Sequence, residues 1–453
     1  MTTPQRRPVG CGIDFGTSNS LIAVAYDNDD IEVVDMGSTA VPEALPSLVY
    51  LDREGLRLTG EDASSQFMIT GAQYTSCSNC SLVDRSNGVQ TDSRQYVPGG
   101  GCSDSRLLSG LKFDMAEPSF TGTNSWARDF PLPQLVADVL RRLKKAGEEH
   151  AGAPLDAVSL GRPFVFYGAE GRDHLARQRV ALERLDVAAA LAGFTSRQLV
   201  PEPQAAALME DAESGVVVTV DFGAGTFDVA VVDFDLDPPK LVALDGAPVG
   251  GELIDRAIFR DFIEPHLGFD ISYRSQSGAQ LGLPAEVRSQ AQSLSQLKRL
   301  MQDRNTAVLL RAMANAGAPV ASLDALLYQG QAYRFYQSIE TAKIELSRGA
   351  TVARVDLRRL GINEVVDISR PDLEGTLRQF LDPVERAIDR ALTSAGIEAH
   401  DVAYAVRTGG SSQLPQFIDL LNGKFGPNKV QARDPFTTVV TGLALDAAAR
   451  WAA

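Results

Sequence analysis

The chain has 453 residues, 44% of them hydrophobic, and a formal net charge of −15 from 43 basic and 58 acidic side chains. This length exceeds one ordinary core and predicts roughly two to four domains or subdomains. The acidic balance excludes a nucleic-acid polymer as the main partner, because binding a phosphate backbone needs a basic surface. No apolar run reaches the roughly 20 residues of a membrane span, so we expect a cytoplasmic protein without a membrane partner.

The first motif in the chain is a strand, a tight turn and a second strand. Apolar residues 10–13 and 21–26 flank residues 14–19, Asp-Phe-Gly-Thr-Ser-Asn, a pattern that predicts a β-hairpin. Glycine lets the backbone approach a phosphate and point successive N–H groups at one anion. An aspartate beside phosphates needs a divalent cation between them, usually with its waters. In a single copy, an ordinary surface turn is the alternative interpretation.

Residues 40–130 follow as a loop-rich insertion, punctuated by prolines and by Gly99-Gly100-Gly101. Cys77 and Cys80 have the spacing of a metal knuckle and Cys102 lies in the same segment, but no fourth cysteine or nearby histidine completes a tetrahedral set. A redox pair or plain loop cysteines are therefore favoured over a structural metal. A compact apolar patch ends at Lys112, which in isolation would be a solvated surface residue.

Beyond the insertion the pattern predicts a helix around residues 135–143, a strand at 157–160, a helix at 170–191 and a strand at 198–200. Glu202 then stands between Pro201 and Pro203 at a strand-to-helix junction. Prolines stiffen such a junction and hold the carboxylate in place with little loss of entropy. A first-turn glutamate that favours the helix dipole is the alternative explanation. The second motif begins 19 residues on and favours a functional role.

The second motif, residues 221–226, is Asp-Phe-Gly-Ala-Gly-Thr and follows the first by 207 residues, again between apolar runs. Two copies in matching contexts argue against coincidence and predict two related α/β lobes that face each other. A ligand gripped by both turns must lie between the lobes, and paired acidic turns predict a Mg²⁺-nucleotide. The sequence has no G-x-x-x-x-G-K-[ST] and no G-x-G-x-x-G that opens a helix, which excludes other common nucleotide-binding folds.

The rest of the chain alternates strands and helices around a second insertion. Gly250-Gly251 precedes a helix predicted at 252–263 and would either approach a ligand or cap the helix. On a helix at 336–347, Glu340, Lys343 and Ser347 share one face, although a polar face is ordinarily solvated. The remaining predicted elements are a strand at 352–357, a helix at 371–395, a strand at 403–407, the run Gly409-Gly410-Ser411-Ser412, and helices at 414–424 and 437–451.

These motifs, in this order, resemble the actin-like ATPase superfamily and, within it, the nucleotide-binding domain of the seventy-kilodalton heat-shock chaperones. The resemblance covers nearly the whole chain and rests on residues 12–20, 161–164, 201–208, 220–228, 250–252, 340–347 and 408–412. It implies an α/β, two-lobed actin-like ATPase fold, a duplicated ribonuclease H-like core with two peripheral insertion subdomains. The implied divisions are a lobe I core (9–39, 131–214 and 434–453), a lobe I insertion (40–130), a lobe II core (215–250 and 351–433) and a lobe II insertion (251–350).

The resemblance also implies roles for individual residues. Asp14 and Asp221 would hold Mg²⁺ through water, Glu202 and Asp228 would position the attacking water, and Lys112 would reach the γ-phosphate of ATP. K⁺ is an additional candidate ion, and the chemistry needs positioning and charge neutralisation rather than a covalent nucleophile. The implied contacts to ATP or ADP are Gly16, Thr17, Ser18, Asn19, Gly223, Ala224, Gly225, Thr226 (also a catalytic candidate), Gly250, Gly251, Glu340, Lys343, Ser347, Gly409, Gly410 and Ser411.

The sequence departs from the family pattern in three places. Gln413 stands where the family often has an arginine that stacks on adenine, and Asp434-Pro-Phe-Thr-Thr-Val replaces the usual Asn-Pro-Asp-Glu-type run. The chain ends at Ala453, after the helix that closes the first lobe, so we expect no peptide-binding domain. In this it is similar to the shortened YegD-like chaperone relatives, with which it shares Gly-Arg-Pro and the Phe-x-x-Val-x-x-Gly-Leu run at 436–443.

We therefore expect a chaperone-like protein that binds Mg-ATP between two lobes and hydrolyses it slowly, with an unidentified protein client or co-chaperone as partner. A small-molecule kinase on the same fold is one alternative, and it would need an aspartate base facing an acceptor pocket, for which Asp228 is the only obvious candidate. An actin-like filament protein is the other alternative, and it would show nucleotide-dependent sedimentation.

Overall fold

The computed structural model describes residues 6–452 except 29, 39–40, 71–73, 76–101, 104, 127, 170–172, 211–213, 237–238, 271, 275–277, 303 and 329. The strands are β1 (Pro8–Phe15), β2 (Asn19–Tyr26), β3 (Ile31–Val33), β4 (Leu45–Pro46), β5 (Val49–Asp52), β6 (Arg57–Thr59), β7 (Tyr74–Thr75), β8 (Cys102–Ser103), β9 (Ser105–Leu108), β10 (Gly122–Ser125), β11 (Arg128–Pro131), β12 (Ala157–Arg162), β13 (Ser196–Pro201), β14 (Val216–Phe222), β15 (Phe227–Asp233), β16 (Lys240–Ala247), β17 (Ser272–Arg274), β18 (Gln280–Gly282), β19 (Val352–Asp356), β20 (Val365–Ser369), β21 (Val402–Thr408) and β22 (Val430–Ala432).

The helices are α1 (Gly60–Thr70), α2 (Leu132–Ala151), α3 (His174–Leu191), α4 (Glu202–Ala207), α5 (Gly251–Ile258), α6 (Ala285–Gln290), α7 (Leu294–Gln302), α8 (Arg304–Asn315), α9 (Ala321–Tyr328), α10 (Ala332–Ser347), α11 (Arg370–Ala395), α12 (Pro415–Phe425) and α13 (Thr437–Trp451). Short 3₁₀ turns include Leu111–Asp114 and Gly410–Gln413. None of the helices in the described ranges is long and apolar enough to cross a membrane.

The first lobe is built on a sheet in the order β13-β12-β1-β2-β3, and β4 also pairs with β2. The β1–β2 pair is antiparallel, as the hairpin prediction requires, whereas β12 is parallel to β1 and to β13. The β1–β2 hairpin is buried on both faces because Ile22 and Val24 pack toward α2, while Leu21 and Ala23 pack toward α13. Two covered faces explain its nearly continuous apolar sequence.

The second lobe repeats this arrangement in the sheet β16-β15-β14-β21-β22. Its hairpin β14–β15 is antiparallel, β16 is antiparallel to β15, and β21 is parallel to β14 and to β22. Strand for strand, the order and directions match those of the first sheet. The prediction of two related α/β lobes is therefore confirmed.

Two helices join the lobes by crossing between them. Helix α4 follows β13 of the first sheet but packs on β14 and β15 of the second, while α13 follows β22 and packs on β1 and β2. The two helices touch so closely that a Cβ at Gly442 would lie 1.8 Å from the carbonyl oxygen of Ala205. Only glycine permits this approach, so the packing of α4 against α13 depends on Gly442.

The insertions differ most from the sequence prediction. Helix α1 lies in the segment that we predicted to be loop-rich. The sequence did not indicate this helix because its buried residues, Gly60, Ala63 and Ser64, are small and give no hydrophobic period. The helix predicted at 252–263 is α-helical only to Ile258 and continues as one π-helical segment. Cys77 and Cys80 lie outside the described residues, as does the side chain of Cys102, so the predictions about these cysteines stay predictions.

Candidate functional site

The two motif turns face each other across a cleft of about 1030 Å³ between the lobes. A Cβ placed on Gly225 of the second turn would lie 2.8 Å from Thr17 Oγ1 of the first. On the side away from the cleft, the first turn is held by Ser47, whose hydroxyl donates to the carbonyl oxygen of Gly16 at 2.8 Å. All of the predicted site residues line this cleft except Asp228 and Gly250.

Four carboxyl groups and one lysine gather near the two turns, and all of them except Asp228 line the cleft. Asp14 and Asp221 lie near the ends of β1 and β14, Glu202 opens α4, and Asp228 is paired with Asp221 across the second hairpin. Lys112 comes from the first insertion, and its Nζ lies 2.7 Å from Glu202 Oε1. The side chains of this pair are 10% and 7% exposed, so both charges are largely withdrawn from water. The sequence alone does not reveal this contact, since the two residues are 90 positions apart.

The raised pKa values of the aspartates in this cluster indicate an excess of negative charge. Burial, and then the charge of Glu202, raise the pKa of Asp14 to about 7 and that of Asp228 to about 7. The same two causes raise the pKa of Asp221 well above its usual range. Burial disfavours the charged form of Lys112, but Glu202, Asp14 and Asp221 outweigh it and raise the pKa of its ammonium. The single positive charge of Lys112 therefore does not neutralise the negative charge of the carboxylates around it.

An oxygen-only donor set with excess negative charge fits a hard divalent cation. Among the described residues, no three His, Cys, Asp or Glu side chains are grouped closely enough to hold a metal directly. A cation at Asp14 and Asp221 would therefore complete its shell with waters or with oxygens of a ligand, as Mg²⁺ commonly does.

Asp228 has both carboxylate oxygens engaged within the protein. Thr226 Oγ1 donates to Oδ2 at 2.7 Å, and the backbone N–H of Phe164 donates to Oδ1 at 2.8 Å. The residue is 1% exposed. The prediction that Asp228 orients a water directly stays a prediction, and this geometry favours an indirect action through the placement of Thr226.

The cleft contains a second, partly buried ion pair near the second turn, and the sequence analysis missed it. Lys343 Nζ of α10 lies 2.9 Å from Asp255 Oδ1 of α5 and also donates to the carbonyl oxygen of Gly251 at 3.4 Å. Burial raises the pKa of Asp255 to about 6, although Lys343 opposes the rise. Asp255 lies one turn after Gly251 on α5 but 88 positions before Lys343, so no local pattern identified it.

The same cleft is lined by further residues predicted to contact a nucleotide: Glu340, Ser347 and the Gly-Gly-Ser run. Ser411 Oγ donates to the carbonyl oxygen of Gly223 at 2.9 Å, which ties the Gly-Gly-Ser run to the second turn. Ser347 Oγ donates to the carbonyl oxygen of Lys343, and Glu340 is exposed at the cleft. Gln413 is likewise exposed and lines the cleft. That these positions hold the non-phosphate part of a nucleotide stays a prediction.

Comparison with known proteins finds a family model described as "Hsp70 protein", which matches residues 10–308 and 321–451. A protein named chaperone protein HscA homolog from Vibrio cholerae serotype O1 is 25% identical over 450 residues, which are 98% of this chain and 59% of that protein. The HscA homolog of Burkholderia multivorans is 26% identical over 98% of this chain and 59% of its own length. Chaperone protein DnaK 1 of Synechococcus sp. is 23% identical over 96% of this chain and 49% of its own length.

Proposed function

Since this chain belongs to the Hsp70 family, we propose that it binds Mg-ATP in the cleft between its lobes and hydrolyses it slowly as part of a chaperone cycle. The observation that carries the proposal is the convergence of Asp14, Asp221, Glu202 and Lys112 between two facing glycine turns. The raised pKa values of Asp14 and Asp221, one lysine and paired anion-binding turns together suit a metal-bound polyphosphate.

In this proposal each group in the cleft has one task. Backbone N–H groups of both turns, with the hydroxyl of Thr17, bind the phosphates, while the hydroxyl of Thr226 donates to Asp228 and fixes the end of the second turn. Lys112 neutralises charge on the terminal phosphate, and Glu202 orients the attacking water and withdraws its proton. Mg²⁺, when bound, supplies further charge neutralisation at the phosphates. The chain's contribution is positioning, because phosphoryl transfer to water needs no covalent protein nucleophile.

The kinase alternative is weakened by the surroundings of Asp228. A base for a small-molecule acceptor must face that acceptor in the cleft, whereas Asp228 is 1% exposed and does not line the cleft. An actin-like filament protein would show nucleotide-dependent sedimentation, and the match to the Hsp70 family model favours the chaperone-like ATPase over it.

The partner and the domain division belong to the proposal as well. This chain spans about three fifths of the length of the HscA homologs that it matches, so action on a protein client or co-chaperone is proposed rather than established. The boundaries given for the two cores and their insertions, the likeness to YegD-like relatives and the additional K⁺ site are proposed on the same footing.

Mg-ATP or Mg-ADP should raise the melting temperature of the protein, because a ligand that binds only the folded state stabilises it by mass action. At about one hundred times the dissociation constant the gain is about 2.7 kcal/mol, which corresponds to several degrees. A differential scanning fluorimetry series with nucleotide and Mg²⁺, with Mg²⁺ alone and with nucleotide plus chelator measures this shift. A melting curve unaffected by saturating nucleotide and Mg²⁺ would refute the proposal.

Gly250→Ala should weaken nucleotide binding by about tenfold or more, because a Cβ there would lie 2.4 Å from the carbonyl oxygen of Ala224 and displace the second turn with its N–H donors. Gly375→Ala on α11 is the matched control, since its Cβ would meet nothing within 4 Å. Titration of both variants measures the effect. Equal affinities in the two variants would show that the second turn does not hold the nucleotide.

A further inference from the structure

Ser47 lies behind the first turn, on the side away from the cleft. It is 1% exposed and does not line the cleft, whereas Gly16 and Ser18 do. Strand β4 pairs with the start of β2 and brings Ser47 to this place. There the Ser47 hydroxyl donates to the carbonyl oxygen of Gly16 at 2.8 Å, and its backbone N–H donates to the carbonyl oxygen of Ser18 at 2.8 Å. One residue therefore holds two carbonyl groups of the turn.

The direction of these carbonyl groups decides where the N–H groups of the turn point. A peptide unit is planar and trans, so the C=O of one residue and the N–H of the next point in opposite directions. The carbonyl groups of Gly16 and Ser18 point away from the cleft, toward Ser47. The N–H groups that follow them, those of Thr17 and Asn19, therefore point toward the cleft. Backbone N–H groups that converge in this way form a concave site for an anion.

A second serine extends the hydrogen bonding behind the turn. Ser20 of β2 is fully buried, and its hydroxyl oxygen lies 2.8 Å from that of Ser47. Because the single hydroxyl proton of Ser47 is donated to Gly16, Ser20 must be the donor to Ser47. Each hydrogen bond in such a buried chain polarises and strengthens the next. The orientation of the Gly16 carbonyl group is therefore held by two hydroxyls in series.

The second turn has a corresponding contact. Ser411 Oγ donates to the carbonyl oxygen of Gly223 at 2.9 Å, and Gly223 occupies the position of Gly16 in the duplicated motif. In both copies a serine from outside the turn thus orients the glycine carbonyl group, although the two serines come from unrelated segments. Ser411 lines the cleft and Ser47 does not, so only Ser47 can be replaced without changing a side chain that faces the ligand.

We propose that Ser47 is a positioning residue for nucleotide binding, which orients the N–H groups of the first turn toward the phosphates and touches no reacting atom. Ser20 supports it as the next member of the hydrogen-bond chain. Donors that are already oriented need no rearrangement when the anion binds, and this makes each of them more effective. The inference rests on the nucleotide-binding function proposed above, but its claim about the turn also applies to the nucleotide-free protein.

Ser47→Ala should weaken ADP binding by about tenfold, because the Gly16 carbonyl group loses its donor and the peptide unit can rotate. Adenosine has no phosphate, so its affinity should stay within about twofold of the wild-type value. Calorimetric titration of each ligand in the presence of Mg²⁺ measures both affinities. General damage to the cleft would weaken the two ligands alike, whereas lost positioning weakens only the ligand that carries phosphates.

Ser322→Ala is the matched control. Ser322 is also buried and its hydroxyl donates to the carbonyl oxygen of Leu267 at 2.8 Å, but it does not line the cleft. This variant loses the same kind of hydrogen bond and should bind ADP as the wild-type protein does. Ser20→Ala removes only the outer hydrogen bond of the chain and should weaken ADP binding by about two- to threefold, with adenosine unaffected.

The crystal structure of nucleotide-free Ser47→Ala should show the peptide unit between Gly16 and Thr17 rotated or in two orientations. An unchanged peptide unit, wild-type affinity for ADP, or equal losses for ADP and adenosine would each overturn the role of Ser47. If Ser47→Ala does not fold, Ser20→Ala decides, and wild-type ADP affinity in that variant overturns the proposal. If the wild-type protein binds no ADP, the proposed function fails, and the peptide orientation in the nucleotide-free variant still decides on Ser47.

Discussion

Replacing Glu202 with Gln should slow ATP hydrolysis by about ten- to a thousandfold while nucleotide affinity stays nearly unchanged, as expected for loss of one catalytic positioning group. The amide has the size of the carboxylate but neither its charge nor its capacity to take a proton from water. Glu202 also pairs with Lys112 at 2.7 Å, so the substitution additionally loosens the lysine. Single-turnover hydrolysis beside calorimetric titration separates the effect on rate from the effect on binding.

A control is needed because an acidic residue in a first helical turn also stabilises its helix. Glu286 has this position in α6, is exposed and lies outside the cleft. Glu286→Gln should therefore hydrolyse ATP at the wild-type rate. Hydrolysis at the wild-type rate by Glu202→Gln as well would show that the role assigned to Glu202 is wrong.

Asp14→Asn should weaken Mg²⁺-dependent nucleotide binding by about tenfold or more, so its defect appears in titration before it appears in rate. Burial and the charge of Glu202 raise the pKa of Asp14 to about 7 in the nucleotide-free cleft. Below that pH a proton occupies the carboxyl and competes with the cation. Wild-type affinity for Mg-nucleotide should therefore rise between about pH 6 and about pH 8, and this rise should be smaller in the variant.

The same substitution should have the opposite effect on the nucleotide-free protein. A carboxyl whose pKa is raised by folding contributes a penalty that is absent below its unfolded pKa of about 4, grows between about pH 4 and about pH 7, and is fully present above that pH. Asp14→Asn removes this penalty, so the variant without ligand should melt higher than wild type near pH 8. Asp419 on α12 is exposed, so Asp419→Asn is the control and should leave the melting temperature unchanged.

The binding measurement decides on the metal role of Asp14. If Asp14→Asn binds Mg-nucleotide with wild-type affinity, that role is wrong.

The sequence was most informative where local pattern and local structure coincide. Both hairpins could be predicted because apolar strands flank glycine turns, and the duplication of the turn predicted a ligand site between two lobes. Glu202 could be placed because two prolines surround a strand-to-helix junction, and β13 and α4 meet at that position.

The contacts made by the insertions could not be predicted in the same way. The partners of Lys112 and Asp255 lie 90 and 88 positions away, respectively, and no short motif connects charges so far apart. Helix α1 was missed because small residues form its buried side. Asp228 was placed in the correct hairpin, but its hydrogen bonds to Thr226 and Phe164 became visible only in three dimensions.

The most direct measurement of the central claim is calorimetric titration of ATP into the wild-type protein, with Mg²⁺ and with chelator. If the two turns and the buried carboxylates form one metal-dependent nucleotide site, the titration should saturate at one nucleotide per chain with Mg²⁺ and weaken strongly when the metal is removed. Absence of binding, or binding of equal strength with and without divalent metal, would contradict the account.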